Sequence, residues 1–157
     1  MAHSWPGGFT LQFFAPSEFD HPELMDPTFL QDLDRLRMRC GFALKITDDA
    51  RDQSDLDRIY AREIAKGIAY PTTSAHLHID NTLVRSVDLK PATPRAGDGS
   101  DLNLEERELE LTYQILKLWD DNVWNHLGLG IETAHWHIDD TPRLGERRPA
   151  FWVAVSR

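Results

Sequence analysis

Four of the seven histidines in this 157-residue chain fall in two short stretches. The first is Ser74-Ala75-His76-Leu77-His78, upstream of Asp88, and the second is Glu132-Thr133-Ala134-His135-Trp136-His137-Ile138-Asp139. Imidazole and carboxylate are the donors that a hydrolytic zinc ion takes while one coordination position stays open to water. Any one of these histidines alone would be an ordinary polar residue, but two such clusters, each with carboxylates nearby, read as a chain built around a metal. If residues 135–139 are extended, His135, His137 and Asp139 project to one side of the strand while Trp136 and Ile138 project to the other. The apolar pair can then pack in a core and the polar triplet can line a cleft.

Several elements must position these groups. Asp26 and Pro27 suit a helix start, and Phe29, Leu30, Leu33, Leu36 and Cys40 recur at helical spacing until Gly41. Residues 42–47 read as a strand delivering the charged loop Asp48-Asp49-Ala50-Arg51-Asp52. A second helix is predicted over Ser54–Lys66, with Ser54 and Asp57 resembling a capping box and Leu56, Ile59, Tyr60 and Ile64 on one face. Residues 71–74 have loop chemistry, and 83–89 read as a strand carrying Asp88. The Pro- and Gly-rich stretch 91–102 reads as an exposed loop. Asn103 with Glu106 then starts the longest helix, with Leu104, Leu111, Ile115, Leu118, Trp119 and Val123 facing the core and an end near Leu127-Gly128. Two β-like runs follow, over 129–139 and 151–155, with a polar turn between them. Trp119, Trp124, Trp136 and Trp152 are expected in the core. Helices first, then strands interrupted by one long helix, favour a single α+β domain over 1–157 with a small, mainly antiparallel sheet packed against helices.

Composition narrows the classes. At 41% hydrophobic content the chain is long enough for one real core and too short for two ordinary domains. A net charge of -9, from 26 acidic and 17 basic residues, argues against a nucleic-acid partner, which would need clustered Lys and Arg. One cysteine, Cys40, excludes an internal disulfide and suits a buried thiol. The N-terminal residues lack a signal-peptide pattern and no segment has the apolar length of a membrane span, so the expectation is a cytoplasmic protein as synthesised, with no membrane partner.

The ordered motifs resemble those of the zinc D-Ala-D-Ala carboxypeptidases and L-alanyl-D-glutamate endopeptidases, the hedgehog-type peptidoglycan peptidases that include phage endolysins. That family places an Arg after its first strand, then Ser-x-His with a short run ending in Asp on a strand, then a long helix, and finally His-x-His or His-x-Asp. Here Arg51, Ser74-Ala75-His76, Val87-Asp88, the helix after Asn103, and His135-Trp136-His137-Ile138-Asp139 fall in that order, and the likeness extends from Pro16-Ser17-Glu18-Phe19 to Phe151-Trp152.

The resemblance implies a hedgehog-like fold, a Zn2+ ion held by His76, Asp88 and His137, and Arg51 meeting substrate carboxylate or oxyanion charge. Asp139 would orient a liganding imidazole or buttress its strand. The segment from His76 to Asp88 is five residues longer than the family pattern, so His78 is an alternative to His76. Ala134 stands three before His137, where the family has an acid. Glu132 or His135 would then serve as the catalytic base, Glu132 through a Glu-x-x-His arrangement that would make His135 the ligand instead. The implied activity is zinc-dependent hydrolysis of a peptide bond in peptidoglycan stem peptides. The alternative is a catalytically impaired module of the same fold, structural or assembling with phage virion proteins. Either role at the wall would call for release by a lysis system or packaging in a phage particle.

Overall fold

The computed structural model describes residues 1–69, 75–78, 81–141 and 147–153. The N-terminal segment, for which the sequence suggested no element, forms a hairpin of β1 (His3–Trp5) and β2 (Phe9–Leu11). Gly7 and Gly8 turn it with φ of 96° and 85°, a region closed to most other residues. Its buried side chains, Trp5 and Leu11, join the core beside Phe14 and Phe19.

Helix α1 (Pro27–Cys40) forms as its sequence requires. The Asp26 carboxylate accepts a hydrogen bond from the Phe29 N–H, Pro27 occupies the first turn, and Gly41 ends the helix in the left-handed region at φ 76°. Phe29, Leu30, Leu33, Leu36 and Cys40 all face the core. Burial pushes the Cys40 thiol up to about 12, so it is held as an inert apolar filler.

Strand β3 (Leu44–Asp48) leads to the charged loop, but the helix predicted over Ser54–Lys66 is two helices, α2 (Gln53–Ile59) and α3 (Ala61–Lys66). Asp52 and Asp55 make the capping box, exchanging side-chain and backbone hydrogen bonds, so the cap sits two residues before Ser54. The chain breaks at Tyr60, and only Leu56 of the supposed apolar face is buried, with Ile59 and Ile64 exposed. A face so sparsely covered supplies little packing to hold one continuous helix.

Strand β4 (Ser86–Pro91) carries Asp88, and the 92–102 loop is folded back by Arg107, a buried side chain that forks onto Asp98 at 2.9 and 3.0 Å. Helix α4 (Leu104–Asp120) is capped by Asn103 and Glu106 as the sequence predicts. It ends seven residues before Leu127: Asn122 takes a left-handed conformation at φ 59° and terminates it, leaving Leu127 and Gly128 free to enter a strand. Leu111, Ile115 and Leu118 are buried, whereas Leu104 is exposed. The run predicted over 129–139 is a hairpin of β5 (Leu127–Ile131) and β6 (Trp136–Asp140), closed by the Glu132 N–H donating to the His135 carbonyl. Strand β7 (Ala150–Val153) completes the sheet; the rest of the predicted 151–155 run and the loop 71–74 lie outside the described residues.

The sheet order is β3-β4-β6-β5-β7, antiparallel except for the parallel β5–β7 pair, so the fold is α+β with a mainly antiparallel sheet. Leu44, Val87, Leu89, Leu129, Trp136 and Ile138 point to one face, against α1 and α4. Lys45, Asp88, Lys90, His137 and Asp139 occupy the other by strand alternation. Trp124 and Trp136 are core residues as expected, Trp119 packs at the core's edge, and Trp152 is 38% exposed. No helix among the described residues is long and apolar enough to cross a membrane.

Asp26 has two tasks, because Arg85 also donates to it at 3.0 Å and bridges it to Asp140 at 2.8 Å. Asn retains capping but not charge, so Asp26→Asn should cost well under the loss from Asp26→Ala, which is expected to be about 1 kcal/mol or more. Urea denaturation of both variants checks the order; equal losses would assign the effect to the ion pair instead of the cap.

Candidate metal centre

The antiparallel register of β4 and β6 sets Asp88 directly opposite His137. His76 arrives from the other side on a short parallel bridge to the loop after β3. The Arg51 N–H donates to the His76 carbonyl at 2.7 Å, and the His78 N–H donates to the Arg51 carbonyl at 3.0 Å. Buried Ala75 and Leu77 flank His76 and anchor the segment.

Three donor atoms converge there. His76 Nε2 lies 3.2 Å from Asp88 Oδ1 and 3.2 Å from His137 Nδ1, and His137 Nδ1 lies 2.9 Å from Asp88 Oδ1. The two rings are steered from behind. His76 Nδ1 is 2.8 Å from the Asp49 carbonyl, which can only accept, so Nδ1 carries the hydrogen and Nε2 turns a lone pair inward. His137 Nε2 likewise donates to Asp139 Oδ2 at 2.7 Å, and Arg148 holds the other Asp139 oxygen at 2.9 Å. Imidazoles oriented by a carbonyl and a carboxylate are the usual outer support of a metal site.

The donor set fits a divalent cation. Around a tetrahedral zinc with bonds of about 2.0–2.1 Å, neighbouring ligand atoms lie about 3.3 Å apart, close to the three separations seen. His76, Asp88 and His137, the trio the resemblance implied, thus lie together as a candidate metal-binding group, while His78 stays outside the cluster.

The electrostatics are those of a site built for positive charge. Burial opposes ionisation of Asp88, but its contacts with His137 and His76 outweigh it and hold the carboxyl well below the usual carboxylate range. Burial also disfavours a charged His137, yet its hydrogen bonds to Asp139 and Asp88 raise it to about 9.

His135 stands beside the cluster: its Nε2 lies 3.3 Å from Asp88 Oδ2 and in close contact with the Glu132 carboxylate. The hairpin turn makes that pairing possible by bringing residue 132 back over 135. The Arg51 side chain pairs with Asp48, and its backbone carries the bridge to His76. The sequence reading missed the Asp49 carbonyl, Arg148 and Trp152. Trp152 packs at a tilt against His137, with 5.3 Å between ring centres. One signal for the last two was legible in Gly128-x-Gly130: a Cβ at Gly128 would overlap Arg148 and Asp139, and one at Gly130 would overlap the Trp152 ring.

Compared with protein families, curated proteins and solved structures, the chain finds no match.

Protons and a metal compete for His137. In the metal-free protein its raised pKa contributes stability that is complete below its ordinary value of 6.5 and is lost as pH rises through about 9. A metal needs the neutral ring, so its affinity should climb across that interval by up to about tenfold per pH unit. The melting temperature with zinc minus that with EDTA should therefore widen from pH 6.5 to 9. A difference that stays flat, or that survives in His137→Gln, would count against the site.

Proposed function

We propose that this chain is a zinc-dependent metallopeptidase that hydrolyses a peptide bond in bacterial peptidoglycan stem peptides, built on a hedgehog-type peptidase fold and used in the manner of a phage endolysin. The observation carrying this reading is the convergence of His76 Nε2, Asp88 Oδ1 and His137 Nδ1 within 3.2 Å, with both rings hydrogen-bonded from behind. The order of the motifs along the chain supports the substrate class.

A zinc ion held by these residues supplies Lewis acidity that polarises an amide carbonyl and lowers the pKa of water. The chain's own groups do the rest. Asp49 and Asp139 keep both imidazoles in the liganding tautomer. Glu132 and His135, paired at the rim with His135 next to Asp88, are the groups able to take a proton from attacking water and return it to the leaving amine. Arg51, bridged to the His76 segment, brings a permanent positive charge for a substrate carboxylate or a developing oxyanion. Trp152 walls the His137 side with an apolar ring.

One observation favours a second reading, a catalytically impaired module of the same fold that serves in virion assembly. Ala134 stands where the resembled family carries its acid. The two readings separate on turnover.

Elemental analysis and hydrolysis of purified stem peptides, followed by chromatography, test both. Wild type should bind one zinc and lose activity in EDTA. His76→Ala, Asp88→Ala and His137→Ala should lose the metal, whereas His78→Ala, His135→Gln and Glu132→Gln should keep it. Glu132→Gln and His135→Gln should slow hydrolysis by about 10²–10⁴-fold. Stoichiometric zinc without hydrolysis would select the assembly module, and a wild-type protein that takes up no zinc would end the metallopeptidase reading.

A further inference from the structure

Four lysines occur in the chain, and two of them, Lys45 and Lys90, are direct partners across β3 and β4. Like charges facing each other on a sheet destabilise it. With 26 acidic residues available, a neutralising neighbour would be easy to supply, yet no ion pair among the described residues involves either lysine or the Arg95 guanidinium. All three cations line one hollow of about 460 Å³. Asp98 also borders it, but both its oxygens are taken by the fork of Arg107. A second hollow of about 220 Å³ shares Lys90, Pro91 and Thr93 with the first and reaches Glu132 and Ala134 in the hairpin turn, with Glu108 on its wall.

The hollow is close to the metal centre. Asp88 and Lys90 lie on the same face of β4 two residues apart, about 7 Å along a strand. Continuing the β4–β6 register by one step brings Lys90 opposite His135.

We infer that Lys45, Lys90 and Arg95 form an anion subsite that binds a carboxylate- or phosphate-bearing part of the substrate, on the Glu132–His135 side of the metal centre. Its assignment to substrate rests on the hydrolase reading above; the binding of an anion does not. The bound anion would remove the repulsion between the two lysines, and it would set the substrate so that its reacting bond lies about two residues of extended chain, roughly 7 Å, from the anionic group. An acidic chain that acts on an anionic substrate needs such a local reversal of sign to admit it.

Amide shifts of the full chain, recorded during titration with sodium glutarate and separately with inorganic phosphate, test the subsite. Saturable shifts at Lys45, Lys90 and Arg95 are expected, weakening with added salt and at least about tenfold in Lys45→Gln/Lys90→Gln. A response to glutarate alone identifies a carboxylate, a response to phosphate alone a phosphate, and either supports the subsite. No saturable shift at these amides, or shifts unchanged in the double variant, would overturn it. The double variant should melt at or above the wild-type temperature, because it removes a like-charge pair; a lower melting temperature would show that the lysines serve the fold instead. Zinc content measured on the same samples keeps the two readings apart, since it should be unaltered by the double substitution and bears only on the metal centre.

Discussion

Three electron-pair donors held within 3.2 Å of one another are tolerable in a largely buried site only if positive charge sits among them, and the rest of the structure is arranged around that requirement. The rings are not free to relieve it by turning. Asp49 fixes His76 through its backbone carbonyl, and Asp139, itself held by Arg148, fixes His137. In the absence of a metal the charge must come from a proton, which is why His137 stays protonated far above its ordinary range. The same hydrogen bonds that stabilise that proton aim the lone pairs that a cation would use once the proton leaves.

Such a cluster needs a rigid floor, and the two-faced sheet provides it. Each strand contributes one apolar face to the helices and one polar face to the site, so a shift of register by one residue would bury His137 and expose Ile138. Gly128 and Gly130 flatten β5 where Arg148 and Trp152 cross it. The parallel β7 strand thereby reaches over its neighbour to support His137 from a position distant in sequence. The price of this reach is an edge strand with Phe151, Trp152 and Val153 partly in solvent.

Legibility in the sequence followed the range of the interactions involved. α1 and the start of α4 were readable because their caps are local: Asp26 with Phe29, Asn103 with Glu106. The alternation of His135, Trp136, His137, Ile138 and Asp139 gave the polar face of β6 for the same reason. Helix ends that depend on a left-handed residue outside glycine, as at Asn122, leave a fainter trace. The break at Tyr60 reflects missing tertiary support, which periodicity does not report. At the site, the choice of His76 over His78 depends on the bridge between Arg51 and Leu77, a pairing 26 residues apart in the chain that no local pattern encodes. Asp49 was invisible as a supporting group because its backbone, not its side chain, acts.

The charged residues divide their work by type. Arginines hold the acids of the scaffold: Arg85 ties Asp26 to Asp140, Arg107 forks onto Asp98, Arg39 meets Asp121, and Arg148 secures Asp139. A planar guanidinium suits such fixed, multi-point contacts, and four of these five pairs join segments more than 50 residues apart or hold a loop against a helix. Lys45 and Lys90 are left to face open space, where a flexible ammonium can follow a ligand that comes and goes. Because Arg107 already holds both oxygens of Asp98, the acid that borders the hollow, Lys45, Lys90 and Arg95 leave it lined by free cations although the chain carries a net charge of -9. The scaffold's ion pairs therefore act on function indirectly, by preventing Asp98 from quenching the only pair of facing lysines among the described residues.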